Sequence, residues 1–263
     1  MPKAPTKAAL ERLYRKYNRR ALVHPDPLEF LYGFEDLRDR EVAGMVAASL
    51  AYGRVAQILK SVGVVLEVLG PKPAQSLLSV KPRILSESLC GFVHRFATGA
   101  KVCALLSGIR RVLERYDSIQ ACFLMHRRPK ENSVVTALGG LVEEIMTGAG
   151  EDAGHLLPLP ARGSACKRLH LLLRWMVRKD AIDPGGWDQV SPSELIVPLD
   201  THMHRVGRLC GFTRRNTGDL RTAMEITDGF RRFCPEDPVR YDFALTRVGM
   251  KGDAGFRELF HGR

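Results

Sequence analysis

Apolar side chains recur along most of the chain at the three- and four-residue spacing of amphipathic helices. Gly, Pro and Asp-Ser signals separate the segments, and the sequence has no alternating run long enough to predict a strand. The pattern therefore predicts an all-α protein. After a first helix that Thr6 caps, the expected helices span about 39–51, 55–69, 73–80, 85–96, 100–116, 119–126, 133–146, 164–178, 201–210, 217–234 and 238–250.

Composition and charge narrow the classes of partner. The 263 residues, 45% of them hydrophobic, suffice for one large core or two small ones. Forty Lys and Arg against 29 Asp and Glu give a net charge of +11, spread along the whole chain. This distribution favours nucleic acid over a small anionic metabolite or a membrane surface. The N-terminus lacks the apolar stretch of a signal peptide and no apolar run is long enough to span a bilayer, so a cytoplasmic protein is expected.

The six cysteines lie within or beside apolar segments, and none forms a Cys-x-x-Cys pair. Such spacing is typical of reduced core thiols rather than of disulfides or zinc ligands. We therefore expect neither a metal site nor a cofactor.

One carboxylate is placed at the start of a predicted helix. Asp200 follows Pro198 and is expected to cap the helix over 201–210, which Gly211 ends. Winding this helix puts Met203 and Cys210 on one face and His204, Arg205 and Arg208 on another. One face is expected to pack, and the other to remain available for phosphate.

The segment Asp200-Thr-His-Met-His-Arg-Val206 resembles the Asp-Thr-His-Val-x-Arg-Val signature of the helix-hairpin-helix DNA glycosylases, which include endonuclease III. The resemblance implies that Asp200 is the catalytic carboxylate; the alternative is that it only caps its helix. Endonuclease III and its nearest relatives carry a four-cysteine iron–sulfur motif near the C-terminus. Only Cys234 lies in the last fifty residues here, so no iron–sulfur cluster is expected.

A lysine begins the other informative helix. A turn over 158–163 leads to a helix that Ser164 is expected to cap, and Lys167 falls in its first turn, where the helix dipole disfavours a cation. The segment is similar to the hairpin Leu-Pro-Gly-Val-Gly-x-Lys of the bifunctional glycosylases, which implies that Lys167 is the nucleophile. Gly163 is the one hairpin glycine retained, and this departure and the long loop before Asp200 are most similar to archaeal 8-oxoguanine DNA glycosylases.

Further site residues follow from the resemblance and from residue type. The loop over 178–187 contains cations, carboxylates and an indole, which suit a base pocket; the alternative places Trp175 in the core and makes the rest an ordinary loop. Leu50 and Tyr52, between two predicted helices, are candidates for a wedge or for ordinary core and turn residues. The substrate-binding candidates are Leu50, Tyr52, Arg174, Trp175, Arg178, Asp180, Trp187 and His202, and the DNA-binding candidates are Gly163, Arg168, Lys179 and Arg205.

The resemblance implies two helical domains with a DNA-binding cleft between them. We expect a barrel-like domain over 38–178 that carries Lys167, and a second domain built from 1–37 and 179–263 that carries Asp200. The implied function is excision of a damaged base, with an oxidised purine such as 8-oxoguanine favoured, from double-stranded DNA by a monomer. Strand cleavage by β-elimination would follow through a lysine Schiff base.

Three alternatives remain open. A glycosylase that uses water would release the base without cutting the strand, and a DNA-binding protein without catalysis would keep only the charge and the scaffold. A metal hydrolase would use Asp200, His202 and His204. Residues two apart on a helix point about 200° away from each other, so this last option requires an extended segment.

Overall fold

The computed structural model describes residues 5–128, 133–147 and 153–250, and it is predominantly helical, which confirms the all-α prediction. In chain order the α-helices are α1 Lys7–Tyr17, α2 Leu37–Leu50, α3 Val55–Leu69, α4 Pro73–Ser79, α5 Pro82–Ser88, α6 Gly99–Tyr116, α7 Ile119–Met125, α8 Ser133–Met146, α9 Lys167–Val177, α10 Thr201–Leu209, α11 Leu220–Arg231 and α12 Asp242–Met250. Two short antiparallel strands, β1 Val93–His94 and β2 Ala97–Thr98, form a hairpin before α6. In these three ranges no helix is both long and apolar enough to cross a membrane.

The chain divides into two compact units. The central unit is His24–Leu159, and the terminal unit combines Met1–Val23 with Pro160–Arg263. These bounds differ from the expected domains, because α9 falls in the terminal unit together with Asp200. Backbone hydrogen bonds explain the placement of α9: Gly185 N donates to Trp175 O and Trp187 N donates to Met176 O, which fixes the following loop along the helix.

The core of the central unit is built around α2, of which almost every residue is buried. This helix packs against α3, α4 and α7 and against the 3-10 helix Pro27–Gly33. Glu41 is completely buried within it, and its two carboxylate oxygens accept from the backbone amides of Ile119 and Gln120 at 2.8 and 3.0 Å. A side chain of α2 thereby caps the N-terminus of α7.

The terminal unit is a small helical cluster in which α10 packs against α11 and α12, and α1 packs against α12. A Cβ on Gly207 would lie 2.5 Å from side-chain carbons of Ile226 on α11. The glycine therefore permits the close approach of α10 to α11. Thr6 caps α1 as predicted, with its hydroxyl accepting from Ala9 N at 3.2 Å.

Several predicted helix bounds are wrong, and the helix expected over 238–250 begins only at Asp242. The helix expected over 85–96 ends at Ser88 as α5, and the rest of the segment forms the β1–β2 hairpin. The helix expected over 217–234 begins at Leu220, because Asp219 is its N-cap and accepts from Thr222 N at 2.9 Å.

Candidate active site

The first residue of α9 is Lys167, which the chain reaches through an unusual backbone turn. Cys166 is the N-cap in the left-handed region, with φ 43°, and its side chain makes no capping hydrogen bond. The prediction that Ser164 caps this helix is wrong. The Ser164 hydroxyl accepts from Cys166 N at 3.3 Å, in the turn that precedes α9. This turn directly precedes Lys167 and so places the lysine at the N-terminus of α9.

Asp200 uses its two carboxylate oxygens differently. Its Oδ1 accepts from Met203 N at 2.8 Å, which makes Asp200 the N-cap of α10 as predicted. Its Oδ2 lies 3.4 Å from Lys167 Nζ. Capping therefore holds the carboxylate in one orientation and leaves one oxygen to face the amine.

The Lys167–Asp200 pair is accessible without being fully solvated. The side chains are 36% and 20% exposed, respectively, so a ligand can reach both. Two residues that the sequence resemblance singled out independently are thus adjacent at the N-termini of two helices. A nucleophile within reach of a carboxylate able to take its proton is the minimum arrangement for covalent catalysis.

A second carboxylate, Asp242, lies close to this pair and was missed from the sequence. It is the first residue of α12, it is buried, and its Oδ2 accepts from Arg174 Nη1 at 2.5 Å. Burial raises the pKa of Asp242 to about 6 against the opposing effect of Arg174, and the nearby Asp200 carboxylate adds to the rise while Lys167 reduces it. The signal available in the sequence was an aspartate inside the apolar stripe of the last predicted helix.

Arg174 joins Asp242 to a larger buried ion-pair network. Its Nε donates to Asp183 Oδ1 at 3.1 Å, and Arg178 donates to Asp183, to Asp180 Oδ2 at 2.8 Å and to Asp237 Oδ2 at 2.9 Å. The two arginines are about 95% buried or more, and Asp183 is completely buried. The network fastens the loop after α9 to the body of the terminal unit.

The base pocket expected in this loop is not formed by the predicted side chains. Trp175 and Trp187 are completely buried, so neither indole presents a face to a ligand, and the core alternative for Trp175 is the one that the structure has. Arg174, Arg178 and Asp180 were predicted to bind substrate and are instead engaged in the ion-pair network, Asp180 also accepting from Tyr14 Oη at 3.0 Å. We correct these five assignments to structural roles, because the two indoles are enclosed in the core and the three charged side chains are paired within the protein.

The two wedge candidates occupy different surroundings in the central unit. Leu50 is buried in the core at the end of α2, which corrects its assignment as a substrate-binding residue. Tyr52 is half-buried, and its hydroxyl donates to His94 O at 3.0 Å and lies 2.8 Å from His155 Nε2. The tyrosine is therefore part of a local hydrogen-bond network.

The remaining candidates lie around α9 and α10. Half-buried His202 packs against α12, where a Cβ on Gly249 would lie 2.9 Å from the His202 Cβ. Arg168 is half-buried in the first turn of α9, and Gly163, Lys179 and Arg205 are exposed. Gly163 has φ +74°, and its carbonyl accepts from Leu220 N at 3.1 Å. His202 stays a prediction as a substrate-binding residue, and Gly163, Arg168, Lys179 and Arg205 stay predictions as DNA contacts.

The geometry does not bring together the ligands required for the metal alternative. Residues 201–209 are helical, so His202 and His204 diverge, and His204 Nε2 lies 2.9 Å from Arg215 O. Among residues 5–128, 133–147 and 153–250, no group of three His, Cys, Asp or Glu is arranged to hold a metal ion. The six cysteines are free thiols.

Fold and site together define an all-α protein with a lysine–aspartate pair at the N-termini of two helices of its terminal unit. The chain belongs to the family described as "protein of unknown function (DUF2400)", whose model matches residues 26–251. The matched range includes Lys167, Asp200 and Asp242. Comparisons with curated proteins and with solved structures gave no match.

Proposed function

We propose that this protein is a DNA glycosylase that excises a damaged base and cleaves the strand through a lysine Schiff base. The observation that carries the proposal is the 3.4 Å separation of Lys167 Nζ and Asp200 Oδ2. The resemblance to helix-hairpin-helix glycosylases implies that these two residues are the nucleophile and the catalytic carboxylate. A helix and a long loop separate them in sequence, so their proximity supports the assignment.

In this mechanism a damaged nucleotide leaves the duplex and enters the site, at a cost of a few kcal/mol that the lesion itself reduces. Asp200 Oδ2 takes a proton from the Lys167 amine, whose nitrogen attacks the sugar C1′. The bond from C1′ to the base breaks, and the base leaves with the bonding electrons and takes up the proton that Asp200 holds, which returns Asp200 to its charged form. Asp200 is also placed to stabilise positive charge that develops on the sugar.

Opening of the sugar ring then converts the bond between Lys167 and C1′ into a Schiff base. Removal of a C2′ proton and loss of the 3′ phosphate by β-elimination would cut the strand. Hydrolysis of the Schiff base restores the lysine. Asp200 Oδ2, deprotonated once the base has left, is also placed to accept the C2′ proton, since Oδ1 is engaged by Met203 N.

The substrate class within this proposal is an oxidised purine, such as 8-oxoguanine, in double-stranded DNA. The resemblance to archaeal 8-oxoguanine DNA glycosylases supports the lesion, and the net charge of +11 supports the polyanionic partner. The protein is proposed to act as a monomer, since both proposed catalytic residues come from one unit of one chain.

Borohydride trapping tests the proposal. Duplexes that carry 8-oxoguanine, uracil, an oxidised pyrimidine, an alkylated purine or an abasic site are incubated with the protein and reduced. A covalent adduct is expected that disappears in Lys167→Ala and persists in Lys7→Ala, a matched control that removes an exposed lysine from the first position of α1 in the same unit.

Each other result has a defined meaning. An adduct that persists in Lys167→Ala contradicts the assignment of the nucleophile. Base release without an adduct, lost in Asp200→Asn, indicates a glycosylase that uses water. Duplex binding with neither base release nor adduct on any substrate contradicts the enzymatic proposal and favours a DNA-binding protein on this scaffold.

A further inference from the structure

The β1–β2 hairpin of the central unit presents large apolar side chains to solvent. His94 pairs with Ala97, so Arg95 and Phe96 form the two-residue turn at its tip. Phe96 is 68% exposed, and Val93 on the first strand is 64% exposed. An exposed aromatic ring on the tip of a tight turn suggests a surface that meets a partner.

The hairpin has a rigid base. His94 is completely buried, with Nδ1 2.9 Å from Ser61 Oγ on α3 and Nε2 3.0 Å from the carbonyl oxygen of Tyr52. The Tyr52 hydroxyl donates in turn to His94 O at 3.0 Å. The imidazole therefore fastens the hairpin to the segment between α2 and α3, and the tip projects from a fixed support.

The tip residue Arg95 adopts a backbone conformation that costs free energy. Its φ of 53° lies in the left-handed region, where a residue with a Cβ is disfavoured by roughly 1–2 kcal/mol. Its side chain lies against Gly53, at which a Cβ would come within 2.9 Å of Arg95 Cδ, and its guanidinium lies 5.5 Å from the centre of the Phe96 ring. A two-residue hairpin turn needs a positive φ at this position, usually supplied by glycine, and here the turn places a cation beside an exposed ring.

The segments around the hairpin carry cations without carboxylates. Residues 42–66 and 88–113 contain no Asp or Glu, and α3 packs on β1 while α6 packs on β2. Arg54, Lys60 and Arg95 are exposed, and Lys101 Nζ lies 3.4 Å from Phe96 O. Beside the hairpin a groove of about 350 Å³ is lined by Lys60, Ser61, Val64 and Val93, among others. Charge complementarity at this face calls for a polyanion.

We infer that the hairpin tip of the central unit, Arg95 and Phe96, binds double-stranded nucleic acid, with Phe96 inserting at a weakened base step and Arg95, Arg54 and Lys60 contacting phosphates. The inference rests on the proposed function for the choice of duplex DNA. Proteins that kink a duplex commonly insert an apolar wedge between base steps while cations bind the flanking phosphates. A single ring on a rigid turn suits a gap between bases better than it suits a lipid surface, which rewards a broader apolar area.

Binding to a duplex with a central tetrahydrofuran abasic analogue tests this inference, with an intact duplex alongside. The analogue cannot form a Schiff base, so binding is read independently of Lys167 chemistry. Fluorescence anisotropy is expected to show that Phe96→Ala weakens binding to the abasic duplex on the order of tenfold, the usual effect of losing one base–aromatic stack. Met125→Ala, which removes another exposed apolar side chain of the central unit, 73% exposed, is the matched control and is expected to leave affinity unchanged.

The cations give a second readout. Arg95→Ala is expected to reduce the slope of log affinity against log salt by about one, the contribution of one phosphate contact, whereas Phe96→Ala leaves the slope unchanged. Arg83→Ala, on the exposed face of α5 and paired with Glu87, is the matched cation control and should not change the slope.

Equal affinity of the wild type and Phe96→Ala for the abasic duplex would overturn the inference, as would Phe96-dependent binding to anionic phosphatidylserine vesicles with unchanged DNA binding. Failure of borohydride trapping together with Phe96-dependent duplex binding counts against the proposed enzyme and leaves the hairpin inference standing. Trapping that succeeds equally in the wild type and Phe96→Ala, with equal affinity of the two proteins for the abasic duplex, supports the proposed enzyme and overturns the hairpin inference.

Discussion

Arg174 Nη1 lies 2.5 Å from Asp242 Oδ2, and both side chains are buried in the terminal unit. Arg174 stands two turns after Lys167 on α9, so the same helix carries the proposed nucleophile and the cation that holds Asp242. Asp242 is in turn influenced by the charges of Asp200 and Lys167. The ion-pair network that fixes the loop after α9 is therefore electrostatically continuous with the candidate site.

Replacing Asp242 by Asn is expected to change the pH dependence of stability. The pKa of Asp242 in the folded protein is about 6, above its ordinary value of 3.8, so the folded state binds more protons between about pH 4 and pH 6. Its contribution to the free energy of unfolding is present below pH 4 and is lost as the pH rises through 6, by up to roughly 3 kcal/mol. Urea unfolding at pH 4 and pH 7 measures this change.

The expected result is that the free energy of unfolding of the wild type falls relative to that of Asp242→Asn between these two pH values. Buried His170, whose pKa burial lowers to about 4, acts in the opposite direction but is present in both proteins and cancels in the difference. Asp228→Asn, at an exposed carboxylate of α11, is the control. Parallel pH profiles for the wild type and Asp242→Asn would contradict the prediction.

Two substitutions of Asp200 are expected to separate its capping role from its chemical role. Asn is as good an N-cap as Asp, so Asp200→Asn should retain stability, whereas Asp200→Ala should lose about 1 kcal/mol. Both should reduce single-turnover base release by roughly 10²-fold or more, because neither side chain can take the lysine proton. Urea unfolding and a single-turnover assay measure the two effects.

The matched control is Asp219→Ala, which removes the equivalent N-cap from α11. This variant should lose stability and retain base release once the folded fraction is taken into account. Undiminished base release by Asp200→Asn would show that the carboxylate acts only as a cap.

The sequence predicted the helical class and the capping role of Asp200 because both depend on local signals, whereas the choice of Lys167 and Asp200 as one site came from the resemblance to the glycosylases. Helical spacing identifies amphipathic segments, and the N-cap position of Asp200 follows from the residues on either side of it. Asp242 was missed because its partner Arg174 is distant in sequence and belongs to another helix. Spacing alone does not show which apolar stripe accepts a buried charge.

The hairpin was missed for a different reason. Leu89, Phe92, Val93 and Phe96 recur at the spacing of a helix face, which predicted a helix over 85–96. In the structure Leu89 and Phe92 are buried while Val93 and Phe96 are exposed, so the apparent stripe combines core and surface positions. The two tryptophans show the converse, since side chains suited to stacking on a base are needed to fill the core of the terminal unit.

Replacing Glu41 by Gln is expected to destabilise the central unit by about 1–3 kcal/mol. Both carboxylate oxygens of Glu41 accept from backbone amides at the start of α7, and one of them would become an amide that faces a donor. Glu87→Gln, at an exposed position of α5, is the control and should change stability little. Urea unfolding followed by circular dichroism measures both variants, and equal midpoints for wild type and Glu41→Gln would contradict the capping role.

Substitutions of Arg95 are expected to separate backbone strain from DNA binding at the hairpin tip. Gly accepts the positive φ of this position without strain, whereas Ala retains the strain and loses the side-chain contacts with Gly53 and Phe96. Arg95→Gly should therefore be more stable than Arg95→Ala by about 1 kcal/mol, and both should bind duplex DNA more weakly than the wild type. Thermal unfolding and anisotropy on the same preparations measure the two properties. If Arg95→Gly bound duplex as tightly as the wild type, the strained arginine would have no role in binding, and the turn would be a structural feature alone.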